Sequence, residues 1–302
     1  MNPWIRIMRP FNCFLITMCA IVGIMVDQGI KTFKHWPSLI LIAIGGWALS
    51  AAAMVLNDFF DVDIDRINDP SRPIPSGQIT PKQAMIFGIV LIVIGNLAGI
   101  SIDVYEWLVF KNQFGVSIVT AIICTVMLTT YTPYMKKYSV LGNLAVSVGV
   151  WMGFLYGDLV FDFSINPLPE AMALAAFMLN FGREVMKGII DIEGDRENGV
   201  TTIATAFGDK LTAIIASILY FIAIASCLTI PILLANASVV YLGSISVPVI
   251  LATISIVWVL SDQRIPTVRK IKTIILYTMF ISLVAFTLEA FLGDLVGPLI
   301  GN

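Results

Sequence analysis

Two acidic runs carry the residue types and spacing for chemistry: Asn57-Asp58-Phe59-Phe60-Asp61-Val62-Asp63-Ile64-Asp65 and Asp191-Ile192-Glu193-Gly194-Asp195. If the first run is helical, steps of about 100° per residue gather Asp58, Asp61 and Asp65 on one face and turn Asp63 to the far side. In the second, Asp191 and Asp195 lie one turn apart, and the same face continues back through Lys187 and Glu184 while Glu193 points away. Gly194 is a place for that helix to break. Clustered carboxylates repel and raise one another's pKa, so at a membrane boundary they imply a bound cation. An all-oxygen donor set without histidine or cysteine points to Mg²⁺. Two such clusters facing each other would hold Mg²⁺ against a diphosphate and stabilise it as a leaving group. The bland alternative is that the acids solubilise helix ends by pairing with Arg66, Arg72 and Arg196. Both runs fall at expected helix C-termini, however, where the helix dipole disfavours carboxylates and a cation relieves them.

The elements that must position these runs are membrane helices. The chain is 58% hydrophobic and 13% charged, with a mean hydropathy of +0.91, against about a quarter charged in soluble domains. Crossing the hydrocarbon takes about 20 apolar residues. Nine stretches qualify, at about 11–30, 37–57, 81–102, 114–131, 140–161, 167–190, 211–234, 238–260 and 271–292. Pro37, Pro81 and Pro167 fall near starts, where a missing N–H costs least, and Pro231 and Pro248 are expected to kink their spans. With nine crossings, all of the 18 Lys and Arg residues except Lys31, Lys34 and Lys111 fall on one side. That bias puts the N-terminus and both acidic runs in the cytoplasm and the C-terminus outside. The expected fold is all-α: a polytopic membrane protein of nine transmembrane helices around a central, lipid-accessible cavity. Residues 1–302 form one domain made of two acid-bearing helical halves.

The remaining composition excludes other chemistries. Cys13, Cys19, Cys124 and Cys227 lie in apolar segments without metal or disulfide spacing and read as packing residues. His35, beside Lys31 and Lys34, reads as a solvated loop residue. A net charge of −2 leaves no footprint for nucleic acid, and no obligatory protein partner is evident.

At the acidic runs the sequence resembles the UbiA superfamily of intramembrane prenyltransferases, which carry NDxxDxxxD after the second helix and DxxxD after the sixth. Asn57 to Asp65 matches the first motif in full. Arg66-Ile67-Asn68-Asp69-Pro70-Ser71-Arg72-Pro73-Ile74-Pro75-Ser76-Gly77 is similar to the family's connecting loop, and Arg9-Pro10-Phe11-Asn12 to its N-terminal signature. The resemblance spans the first seven helices. It implies that Mg²⁺ draws the diphosphate off an isoprenyl donor, leaving an allylic carbocation for a hydrophobic acceptor to attack. Asn57, Asp61, Asp65, Asp191 and Asp195 would be metal or diphosphate ligands, with Asp58 a ligand or its support. Arg72 and Lys136 would hold diphosphate oxygens and Asn12 would add a hydrogen bond. Arg9, Arg66 and Lys137 are weaker candidates, since cytoplasmic cations near anionic lipid need no catalytic reason.

The family's YxxxK pattern appears here as Tyr131-Thr132-Pro133-Tyr134-Met135-Lys136, one place out of register, so both Tyr131 and Tyr134 are candidates for reaching the substrate. Aromatic-acceptor members place an acid before the second motif, followed by a Tyr-Ala pair. Glu184 occupies the acid's place, but Lys187-Gly188 replaces Tyr-Ala. A lysine on the metal-facing side suits an anionic acceptor, and Gly182-Arg183-Glu184-Val185-Met186-Lys187 resembles the archaeal lipid enzymes of the family. The expected acceptor is therefore geranylgeranylglyceryl phosphate, with an aromatic quinone precursor as the alternative. Glu184 is either a general base toward the acceptor hydroxyl or a salt-bridged residue. The small residues Gly45, Gly46, Ala51 to Ala53, Gly149, Gly153 and Ala173 to Ala176 either open a prenyl channel or serve close helix packing. A transporter, the reading from another class, would set its charges nearer the bilayer midplane.

Overall fold

The computed structural model describes residues 2–130, 139–233 and 238–296. Among these the protein is all-helical, with α1 Pro3–Met8, α2 Pro10–Gln28, α3 Trp36–Phe60, α4 Val62–Asn68, α5 Pro81–Val109, α6 Val116–Thr130, α7 Ser139–Leu159, α8 Pro167–Glu197, α9 Ile203–Leu233, α10 Val239–Ser261 and α11 Ile265–Val296. A 3₁₀ segment, Gly29–His35, turns the chain between α2 and α3.

Helix starts follow local chemistry. Prolines occupy the first turns of α2, α3, α5 and α8, where no intrahelical N–H bond is lost. Thr80 and Gln83 close a reciprocal capping box on α5, and Asn166 caps α8 by accepting from the Leu168 N–H at 3.1 Å. Asp103, buried inside the bundle, accepts from the N–H groups of Ser117 and Ile118 at the start of α6, at 3.0 and 2.9 Å.

Among the described residues, a helix occupies most of each of the nine expected stretches. Among the described residues, six segments are long and apolar enough to cross a membrane, Pro10–Phe60, Pro81–Val109, Val140–Leu159, Ile203–Thr229, Val239–Ser261 and Ile265–Gly293. The first contains both α2 and α3. The chain is a multi-pass membrane protein. On α5 the exposed face repeats at Ile86, Val90, Val93, Leu97, Ile100 and Val104, an apolar stripe at helical spacing that suits lipid. Its opposite face is small. A Cβ on Gly95 would collide with Leu49 of α3, and one on Gly45 would sit 3.0 Å from Ala98 Cβ, so α3 and α5 approach closely through missing side chains.

Three local expectations are corrected. The helix bearing the first motif does not run unbroken to Asp65: α3 stops at Phe60, and Asp61 (φ −90°, ψ 6°) joins it to α4. The Asp61 N–H still bonds Asn57 O at 2.9 Å and the Asp65 N–H bonds Asp61 O at 2.8 Å, so the register survives the joint. Asp65 consequently lies in the first turn of α4. Gly194 does not break α8, which continues to Glu197. His35 is not solvated. Its ring stacks on Phe161 at 3.9 Å between centroids and lies 4.2 Å from Phe110, with Nδ1 2.9 Å from Oε2 of buried Glu106. Ser38 Oγ and Asn112 Nδ2 also donate to that carboxylate.

Candidate active site

The two acidic runs face each other. Asn57, Asp61, Asp65, Asp191 and Asp195 line one cavity of about 80 Å³, together with Asn68, Arg72, Glu184 and Lys187. Asp58, Asp61 and Asp65 are 2%, 3% and 4% exposed, whereas the Asp63 side chain is 71% exposed and pairs with Arg66. The helical face read from the spacing is therefore the buried face.

Asn68 ties the runs together. Its Oδ1 accepts from the Gly194 N–H at 3.1 Å and its Nδ2 donates to the Asp191 carbonyl at 3.4 Å. Thus the end of α4 is clamped to the last turns of α8, and the two carboxylate sets share a fixed spacing.

Cations brace one wall. Arg9 pairs with Asp58, and Arg72 reaches both Asp58, at 3.2 Å, and Asp65. Arg6 Nη2 donates to the Ser71 carbonyl at 2.6 Å, holding α1 to the loop that delivers Arg72. Burial pushes the Asp65 carboxyl up to about 6, against the pull of Arg72 and with the help of Asp58 and Asp61. The neighbouring carboxylates in turn raise Arg72 against the opposing effect of burial.

This polar cavity borders a far larger one of about 500 Å³. Its inner end carries Arg6, Arg9, Asn12, Asp58, Arg72, Arg183, Lys187 and Lys272, and its body is walled by residues such as Leu15, Cys19, Gly149, Ala176, Ile245 and Phe286. Asn57, Arg72, Glu184 and Lys187 line both cavities. Gly149, Ala53, Ala175 and Ala176 leave room in the chamber, and a Cβ on Gly149 would meet nothing within 4 Å. Gly45 and Gly153 instead serve packing.

An all-oxygen donor set drawn from both runs suits Mg²⁺, which keeps water and phosphate oxygens among its ligands instead of demanding a full protein cage. Among the described residues, no three His, Cys, Asp or Glu side chains are grouped closely enough to hold a metal ion by themselves. Each oxygen of Glu184 meets a cation, Oε1 with Arg183 Nη1 at 2.7 Å and Oε2 with Lys187 Nζ at 3.3 Å. Tyr131, Tyr134, Lys136 and Lys137 lie outside the described residues. Arg9, a weaker candidate from the sequence, pairs with Asp58 here, while the clamp by Asn68 and the place of Lys272 in the chamber were not read from the sequence. Asn68 stood within the loop resemblance, while Lys272 had no signal beyond its place among the basic residues on one side of the expected spans.

A membrane-embedded helical protein with facing acidic motifs, arginines beside them and an apolar chamber behind is a lipid-modifying enzyme in form. Residues 16–284 match the model of the UbiA prenyltransferase family, and the chain belongs to that family; it is a prenyltransferase. It is 28% identical over 292 residues to the digeranylgeranylglyceryl phosphate synthase of Methanosphaera stadtmanae, covering 96% of this chain and 100% of the relative. The enzyme of the same name from Pyrococcus horikoshii is 34% identical over 224 residues, covering 74% of this chain and 75% of the relative. A solved structure described as giving insights into the biosynthesis of digeranylgeranylglyceryl phosphate synthase in membranes superposes with a TM-score of 0.69 at 27% identity, covering 95% of this chain and 97% of that one. A UbiA homologue from Archaeoglobus fulgidus bound to GPP and Mg²⁺ shares the fold, with a TM-score of 0.64 at 15% identity and coverage of 94% and 99%.

Proposed function

We propose that the protein transfers a geranylgeranyl group from its diphosphate to the hydroxyl of geranylgeranylglyceryl phosphate in an Mg²⁺-dependent reaction. The observation that carries this reading is the shared border of the two cavities, where Asn57, Arg72, Glu184 and Lys187 face both the acids and the apolar chamber. A diphosphate seated among the acids would have its prenyl tail in the chamber, and the names of the relatives from Methanosphaera and Pyrococcus support the acceptor.

Asn57, Asp61, Asp65, Asp191 and Asp195 hold the metal, and Asp58 supports them through Arg9 and Arg72. Bound Mg²⁺ supplies charge neutralisation for the departing diphosphate. Arg72, with Lys136, holds diphosphate oxygens, and Asn12 adds a hydrogen bond at the chamber's inner end. The bond between C1 of the prenyl group and the diphosphate oxygen breaks, both electrons leaving with the oxygen. The resulting allylic cation is attacked by the acceptor oxygen, whose proton passes to Glu184 as base. Lys187 holds the acceptor's anionic group, and Tyr131 and Tyr134 contact substrate.

The nine long helices among the described residues, the shorter α6 and the charge-bearing α8 included, cross the bilayer around the chamber as one domain of two acid-bearing halves, with the N-terminus and acidic motifs cytoplasmic and the C-terminus outside. The test is an acceptor panel with purified protein, geranylgeranyl diphosphate and Mg²⁺. Prenylation of the glyceryl phosphate is expected; prenylation of a phenolic acid in its place would overturn the acceptor.

A further inference from the structure

The chamber carries a second group of cations besides Arg9 and Arg72. Arg183, Glu184 and Lys187 of α8 and Lys272 of α11 line it together, and Lys272 is close enough to Lys187 and Arg183 to feel their charge. Asp191 also acts on Lys272 but belongs to the acidic motif; within the chamber, three cations less the Glu184 carboxylate leave two positive charges. Glu184 takes one donor from Arg183 and one from Lys187, but Arg183 Nε is buried and has no hydrogen-bond partner among the described residues. Uncompensated charge and an orphaned N–H beside apolar walls both call for an anion. Arg9 and Arg72 do not share this demand, because Asp58 and Asp65 already face them.

We propose that Arg183, Lys187 and Lys272 form a second anion cradle, which holds the phosphate of a lipid phosphomonoester acceptor and makes the enzyme select phosphorylated over neutral acceptors. This rests on the prenyl-transfer reading above. A phosphomonoester carries about −1.5 to −2 charges at neutral pH, matching the excess, and its oxygens supply acceptors for Arg183 Nε and the Lys272 ammonium. Lys187 and Glu184 also border the acid cavity, so a phosphate held here leaves a glycerol hydroxyl only a few bonds away, beside the donor. A neutral phenolic acceptor would leave the charges unmet.

The test uses the full-length detergent-purified enzyme and its Lys272→Met and Lys272→Arg variants, with geranylgeranyl diphosphate saturating and the acceptor varied. Lys272→Met is expected to raise KM for geranylgeranylglyceryl phosphate about tenfold or more, the scale of one lost hydrogen bond to a charged group. KM for the prenyl diphosphate should stay within about twofold by the same scale, and Lys272→Arg should recover most of the acceptor affinity. Equal rises in both KM values would assign Lys272 to the diphosphate, and unchanged values in Lys272→Met would remove it from the site; either overturns the cradle while leaving prenyl transfer intact. Direct binding of the glyceryl phosphate lipid without Mg²⁺ or diphosphate separates the two readings. Wild-type protein that binds this lipid more tightly than Lys272→Met but prenylates only a phenol overturns both the acceptor assignment and the selection that the cradle is proposed to impose. Equal binding by both proteins overturns the cradle.

Discussion

The Oδ1 atom of Asn68 accepts a hydrogen bond from the backbone N–H of Gly194 at 3.1 Å, joining the segment after the first acidic motif to the interior of the second. Glycine at 194 is required by this approach, because a Cβ there would collide with the Asn68 side chain.

Gly194→Ala should therefore part the two motifs without disturbing the apolar bundle. The expected result is a fall in kcat/KM of about tenfold or more, equivalent to about 1.4 kcal/mol in the transition state, with a raised Mg²⁺ requirement and little change in the unfolding temperature. Asn68→Ala should act in the same direction with a smaller effect. Mg²⁺ titrations of activity check both.

Arg72 spans Asp58 and Asp65, so Arg72→Ala leaves two buried carboxylates short of a partner. Removing one member of a buried ion pair costs about 3–5 kcal/mol, and we expect kcat/KM for the prenyl diphosphate to fall by at least about 100-fold. Arg72→Lys should recover only part, since an ammonium does not reproduce the guanidinium fork. Steady-state kinetics with the donor varied provide the check.

Two glycines of α7 should respond differently to substitution. Gly149 faces open chamber, so Gly149→Leu is tolerated by the fold and shifts donor preference toward shorter prenyl chains, read from competition between geranyl and geranylgeranyl diphosphates. At Gly157 a Cβ would lie 2.6 Å from Ala20 O and 2.7 Å from Ile24 N. These are backbone atoms that cannot swing aside, and Gly157→Ala should lower the unfolding temperature by separating α2 from α7.

At the opposite end of the bundle, His35→Ala would remove a ring packed on Phe110 and Phe161 and a partner of buried Glu106. A loss of about 2–4 kcal/mol is expected, with kcat per folded molecule unchanged. Thermal unfolding in detergent, followed by activity of the folded fraction, measures the two effects separately.

The parts of this architecture visible in the sequence are those with a local period. Apolar runs marked the long helices, and the spacing of Asp58, Asp61 and Asp65 marked a face that is buried while Asp63 is exposed. The clamp at Asn68 was hidden because it joins residues more than a hundred positions apart, with no local pattern to pair them. His35 looked solvated because its neighbours in sequence are lysines; its true neighbours, Glu106, Phe110 and Phe161, arrive from other elements. Lys272 was counted as one of many basic residues setting orientation, and only the packing of α11 beside α8 brings it to the chamber. The joint at Asp61 was missed because the helical spacing of Asp58, Asp61 and Asp65 continues across it, as the surviving hydrogen-bond register allows.

The central claim is that both acidic motifs act on one diphosphate through Mg²⁺. It is tested most directly by measuring pyrophosphate release and prenylated product from geranylgeranyl diphosphate and geranylgeranylglyceryl phosphate, using wild-type protein, Asp61→Ala and Asp191→Ala, with and without Mg²⁺. Equal amounts of pyrophosphate and product are expected from the wild type with Mg²⁺, and at least about 100-fold less from either variant or without the metal. Retained turnover in both variants would contradict the account.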